Sequence, residues 1–150
     1  MKFNEDQNAI INQALSIIAS AFHREDLHAT SPHSVKSFCQ LQLAHLEHEV
    51  FGVLFLDNQH RLIEFRKMFR GTINAASVYS REVAKEALLT NSAAVIFTHN
   101  HPSGAVDPSE ADKVLTNRLV EALSILEIRV LDHLVVTHND VVSFAEIGLL

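Results

Sequence analysis

Two short runs, VFGVLFL from Val50 to Leu56 and AAVIFT from Ala93 to Thr98, are almost wholly apolar and rich in Val, Ile and Phe. A half-solvated strand alternates polar and apolar residues, so runs like these read as strands covered on both faces. Asp57 and Asn58 turn the first run back onto a looser alternating segment, Arg61 to Phe69, which makes its hairpin partner before Gly71. Between the runs, Ser80 reads as the cap of a helix with Val83, Ala87 and Leu88 inward. The order through this stretch is helix, strand, strand, helix, strand.

The flanks are helical and then β. Asn4 can cap a helix whose apolar stripe runs Ile11, Leu15, Ile18, Phe22, the spacing of one helical face. That stripe reads as a packing surface or the contact of a homodimer. Ser31 followed by Pro32 opens a second helix with Val35, Phe38 and Leu41 inward. After the second apolar run comes a Pro- and Gly-containing loop, then a long helix from about Pro108 to Ile125, with Asp107 as cap and Glu110 as the acid of a capping box. A final hairpin, Ile128 to Thr137 and Val141 to Phe144, turns at His138, Asn139 and Asp140. With no repeat or linker, the chain reads as one mixed α/β domain over 28–150 behind an N-terminal helix and connector over 1–27.

Composition narrows the chemistry. A chain of 150 residues buries about 70% of its unfolded surface and needs no staples. Cys39 is its only cysteine, which excludes a disulfide framework and a thiolate zinc ribbon and fits a reducing, cytoplasmic compartment. A metal would have to sit on His, Asp or Glu. The N-terminus, broken by polar residues, reads as neither a signal peptide nor a membrane span. A net charge of −6 without a Lys/Arg run disfavours DNA binding unless another module supplies it. Of ten histidines, His23, His28, His33, His45, His48, His60 and His138 have polar or turn-like neighbours and read as solvated.

His99 and His101 stand at the end of the second apolar run. Two residues apart on an extended chain, their side chains share a face while Asn100 points away. Asp112 lies about a turn into the next helix, with Ser109 three residues before it on the same helical face, and Gly104 lets the loop fold back. Two imidazoles and a carboxylate make a three-ligand site for which zinc leads, with a position left for water. Glu49, at the mouth of the first strand, is the expected general base, and Glu47, of the same strand parity, the fallback. Ser109 would donate to the oxyanion formed when hydroxide attacks a carbonyl. Asp132 and His133 read as a structural hydrogen-bonding pair ahead of one that orients a ligand. Pro102 and Gly104 read as loop-shaping, and Asn100 as a tie to backbone.

The pattern His-x-His-x(7)-Ser-x(2)-Asp, here HNHPSGAVDPSEAD, resembles the signature of the JAMM (JAB/MPN) metalloproteases, and Glu49 to Leu54 is similar to their upstream E-x-x-G-x-L strand. HNHPSG, FRGTINAASVYSREVAKEAL and LDHLVVTHNDVVSFAEIGLL resemble the RadC-like branch, in its short form without the helix-hairpin-helix module. The resemblance implies an MPN fold, close to that of cytidine deaminases, with a curved mixed sheet between helices. It also implies zinc on His99, His101 and Asp112, with Glu49 and Ser109 in the roles above, and hydrolysis of amide or isopeptide bonds in a protein or peptide. The alternative is a DNA-repair-associated or nucleic-acid-processing accessory with the same metal site. A nucleobase deaminase is excluded by the missing His-x-Glu and Pro-Cys-x-x-Cys elements. A purely structural metal would need neither Glu49 nor Ser109.

Overall fold

A computed structural model describes residues 4–22, 31–71 and 77–150 of the chain. The 27/28 boundary, His23, His28 and the side chain of Phe22 lie outside the described residues. The elements, in order, are α1 (Glu5–Phe22), α2 (Pro32–Leu43), β1 (Val50–Leu56), β2 (Leu62–Arg70), α3 (Ser80–Leu89), β3 (Ala94–Asn100), α4 (Glu110–Ser124), β4 (Arg129–Val136) and β5 (Val141–Ser143). The strands form one mixed sheet in the order β2-β1-β3-β4-β5. β1 is antiparallel to both β2 and β3, β3 is parallel to β4, and β5 closes antiparallel on β4. This is the mixed α/β architecture expected of a JAB/MPN domain.

Every residue of β1 and β3 is buried, because helices cover both faces. The period of two sorts their side chains. Val50, Leu54 and Leu56 enter one core with Val35, Phe38 and Leu43 of α2, against which Ile18 of α1 also packs. Phe51, Val53 and Phe55 enter the other with Val83 and Ala87 of α3 and Leu119 and Leu123 of α4. Each such side chain contributes about 1.5–3 kcal/mol by leaving water. The same parity puts His99 on the α3/α4 side of β3 and Asn100 on the α2 side.

Gly52 is where the sheet has no room for a side chain. A Cβ there would stand 2.8 Å from Phe65 Cε2 and 3.3 Å from Thr98 Cγ2. The Phe65 ring already meets Phe38 edge-on at 5.3 Å, so its retreat is obstructed. Gly52→Ala is therefore expected to destabilise the fold by about 1–3 kcal/mol through overpacking. Chemical denaturation reads this as a lower midpoint at unchanged m-value. An unmoved midpoint would show that the ring yields freely.

Several local expectations change. Asn4 does cap α1, its Oδ1 accepting from Gln7 N at 2.8 Å. In α2 the fully buried positions are Val35, Phe38, Cys39 and Leu43, whereas Leu41 is half-buried. Leu88 is 58% exposed because Val83 and Ala87 already define the inner face of α3. Ser80 is the first helical residue, and Tyr79 caps α3 without a side-chain bond. The helix α4 starts at Glu110, and its cap is Ser109 rather than Asp107. His33 and His138 are exposed as expected, but His45, His48 and His60 are half-buried. Among the described residues no helix is long and apolar enough to cross a membrane.

Candidate metal centre

The ladder between β3 and β4 continues one residue beyond β3: His101 N donates to Val136 O at 2.8 Å. The chain is thus still extended at His101, and its imidazole falls on the same side as that of His99. Gly104, at φ 82°, then folds the loop back, its N–H donating to His101 O at 3.0 Å. A positive φ is a position glycine takes without steric cost. The loop returns at Ser109, whose extended backbone starts α4.

Ser109 and Asp112 form a reciprocal capping box. Ser109 Oγ accepts from Asp112 N at 3.1 Å, while Asp112 Oδ2 accepts from Ser109 N at 2.7 Å and from the Ser109 hydroxyl at 2.6 Å. A motif that satisfies orphan helix donors therefore also orients the carboxylate. Asp112 Oδ1 stands 3.4 Å from His99 Nε2, and Oδ2 3.4 Å from His101 Nε2. Burial alone would raise the Asp112 pKa, but contacts with His101, His99 and Ser109 outweigh it and hold the carboxyl well below the usual range. Asp112 raises the His101 pKa, against burial, with help from the Ala105 carbonyl and the charge of Glu49.

His101 Nδ1 donates to Ala105 O at 2.8 Å, which leaves Nε2 of the neutral ring as a bare lone pair. His99 Nε2 lies 2.9 Å from that atom. Two imidazole nitrogens facing each other beside a carboxylate can share a proton or hold a cation between them. Nitrogen and oxygen donors from His99, His101 and Asp112 all lie within 4.8 Å of one another, so these residues could hold a metal ion. The donor set, two imidazoles and a carboxylate without thiolate, fits a divalent transition metal such as zinc.

Glu49 lines a cleft of about 610 Å³ that also holds His99, His101, Ser109 and Asp112, and Tyr79 and Arg118 are among its remaining walls. Glu47 is exposed and does not line it. The Glu49 backbone is held from both sides: its carbonyl accepts from Gly71 N at 2.8 Å, and the next amide, Val50 N, donates to Asn100 Oδ1 at 2.8 Å. Asn100 Nδ2 donates to His48 O at 3.0 Å. Asn100 does tie backbone, as its outward parity suggested, and the backbone it ties is the one carrying Glu49. A second groove, of about 680 Å³ between α1 and α2, contains none of these residues.

The pair Asp132 and His133 divides. Asp132 is structural, accepting from Ser143 Oγ at 2.6 Å, Ala145 N at 3.0 Å and His133 N at 2.7 Å. His133 instead reaches the centre, with its Nε2 at 2.8 Å from His99 Nδ1 and its Nδ1 at 2.6 Å from Thr116 Oγ1. It is fully buried among Phe51, Phe97 and Phe144, and desolvation, followed by the neighbouring His99, pushes its pKa well down. Thr116 went unremarked in the sequence. Its only signal was the four-residue spacing from Asp112, which places both on one face of α4.

Residues 29–149 match the RadC-like JAB domain. The chain belongs to this family. A UPF0758 protein of Methylibium petroleiphilum is 61% identical over 120 residues, covering 80% of this chain and 54% of that protein. One of Vibrio cholerae is 53% identical over 144 residues, covering 96% of this chain and 90% of its own length. One of Ectopseudomonas mendocina is 50% identical over 140 residues, 93% of this chain and 62% of that protein. The chain thus spans little more than half the length of some of its relatives and most of the length of others. In this RadC-like JAB domain the possible metal group sits at the end of β3 and the start of α4, and Glu49, the residue just before β1, lines the same cleft.

Proposed function

We propose that this RadC-like JAB domain is a zinc-dependent hydrolase that cleaves amide or isopeptide bonds in a protein or peptide. The reading is carried by one juxtaposition: three converging donors, from His99, His101 and Asp112, share a cleft with the carboxylate of Glu49. Zinc, when bound, supplies Lewis acidity that polarises a carbonyl and brings the pKa of water to about 7. Glu49 takes the proton from the attacking water and returns it to the departing amine. Ser109 donates to the oxyanion, exchanging for that purpose the bond its hydroxyl now makes to Asp112 Oδ2. Its capping role alone accounts for where it stands, so its part in turnover rests on this proposal.

Two measurements test the reading. Zinc at about a hundred times its dissociation constant is expected to stabilise the fold by about 2.7 kcal/mol, raising Tm by roughly 5–10 °C for a chain this size. The loaded chain is then offered a panel of peptide and isopeptide bonds alongside duplex and single-stranded DNA. Cleavage of an amide, stopped by a chelator and restored by zinc, is the expected result. Chelator-sensitive cleavage of DNA with every amide left intact would replace this reading with a nucleic-acid-processing one.

A further inference from the structure

We propose that Thr116 and His133 are positioning residues that hold His99 in the one tautomer whose Nε2 is free to bind a cation, a role that rests on reading the centre as a metal site. The argument is a count of protons along a buried chain of contacts. Thr116 Oγ1 is 2.6 Å from Asp112 O and 2.6 Å from His133 Nδ1. A carbonyl only accepts, so the single hydroxyl proton goes to Asp112 O, and the hydroxyl has only lone pairs left to offer His133. His133 therefore carries its proton on Nδ1. Its Nε2 is then the acceptor in the 2.8 Å contact with His99 Nδ1, and His99 must donate from Nδ1. The Nε2 of His99, which faces His101 and Asp112, is left bare.

The two histidines of the centre thus reach the same tautomer by different means. His101 has a backbone carbonyl, Ala105 O, as partner, and a carbonyl allows only one answer. The partner of His99 is another imidazole, which can donate or accept and by itself decides nothing. Thr116 decides it, through its bond to the backbone of the residue that supplies the carboxylate. His133 and Thr116 are 0% and 1% exposed, so no bulk water can substitute for a missing partner. One turn of α4 therefore sets both the carboxylate and the proton of the imidazole opposite it.

Thr116→Val keeps the shape and removes the acceptor. The His133 proton then finds its only partner from Nε2, towards His99 Nδ1, and the His99 proton moves to Nε2, where it blocks a cation. The test is ring-nitrogen NMR of the metal-free, ¹⁵N-labelled full chain, followed by zinc titration. In the wild type, His99 is expected as the Nδ1–H form. In Thr116→Val the Nε2–H form is expected to gain population and zinc affinity to fall by about 10–100-fold, as for other groups that orient a metal ligand. Thr116→Ser, which keeps the hydroxyl, is expected to restore both.

An Nε2–H His99 in the metal-free wild type overturns the proposal whatever the variants do. So does a Thr116→Val chain with wild-type tautomer and affinity, or a Thr116→Ser chain that fails to recover them. A wild-type chain with Nδ1–H His99 that binds no zinc supports the relay and sinks the metal reading, so the two failures are separable.

Discussion

Glu49→Gln is expected to leave the chain folded and able to bind zinc while lowering turnover by about 10²–10⁴-fold, the usual worth of a positioned general base. The substitution keeps the side-chain shape and removes the ability to take a proton. Its backbone anchors, Gly71 N on the carbonyl and Asn100 on the following amide, are untouched. Glu49 is half-buried in the wall of the cleft it shares with His99, His101 and Asp112, and its charge helps to raise the His101 pKa. Steady-state rates on whichever amide the panel identifies, measured beside zinc content, check the expectation. Glu47→Gln, at an exposed position outside the cleft, should match wild type. If Glu49→Gln turns over as fast as wild type, the carboxylate is a bystander and the proposed proton transfer is wrong.

Asp112→Ala is expected to abolish zinc binding and also to weaken the metal-free fold, because one side chain serves both the centre and the helix. Removing it takes away the acceptor of Ser109 N and half of the capping box, a loss of about 1–2 kcal/mol. The pH dependence has a definite sign. Contacts with His101, His99 and Ser109 set the folded-state pKa of Asp112 well below the unfolded value of about 3.9, despite burial. Its stabilising contribution is therefore present above that value and lost as pH falls through the folded pKa. The stability gap between wild type and Asp112→Ala should be full near neutrality and shrink in strong acid. Ser109→Ala separates the two duties: it loses the cap yet should retain zinc. Should Asp112→Ala still bind one zinc per chain, the ligand assignment is wrong.

Much of this centre was legible because strand parity is local. Once VFGVLFL and AAVIFT are taken as strands, the period of two places Glu49 with Phe51 and Val53, His99 with Val95 and Phe97, and Asn100 on the opposite face. Glu49, just before β1, and His99, near the end of β3, then line one cleft because β1 and β3 are antiparallel neighbours, with Phe51 opposite His99. The capping was less readable. Asp107 with Glu110 and Ser109 with Asp112 both have the right spacing for a box, and which one closes depends on where the loop from Gly104 delivers the chain.

The sequence by itself determined the strands, the faces their side chains take, and the two-residue and three-residue spacings that bring His99 to His101 and Ser109 to Asp112, since all of these follow from backbone periodicity within one element. Only the tertiary structure decided that His133 lies beside His99, because that requires the parallel register of β4 on β3, which pairs Phe97 with His133 across a whole intervening helix. It also decided that Thr116 faces His133 and that Asn100 holds the strand bearing Glu49. Those contacts join residues 17 and 50 positions apart, and no local preference specifies them: burying both faces of one sheet takes these polar groups out of water, so each must find its partners within the protein.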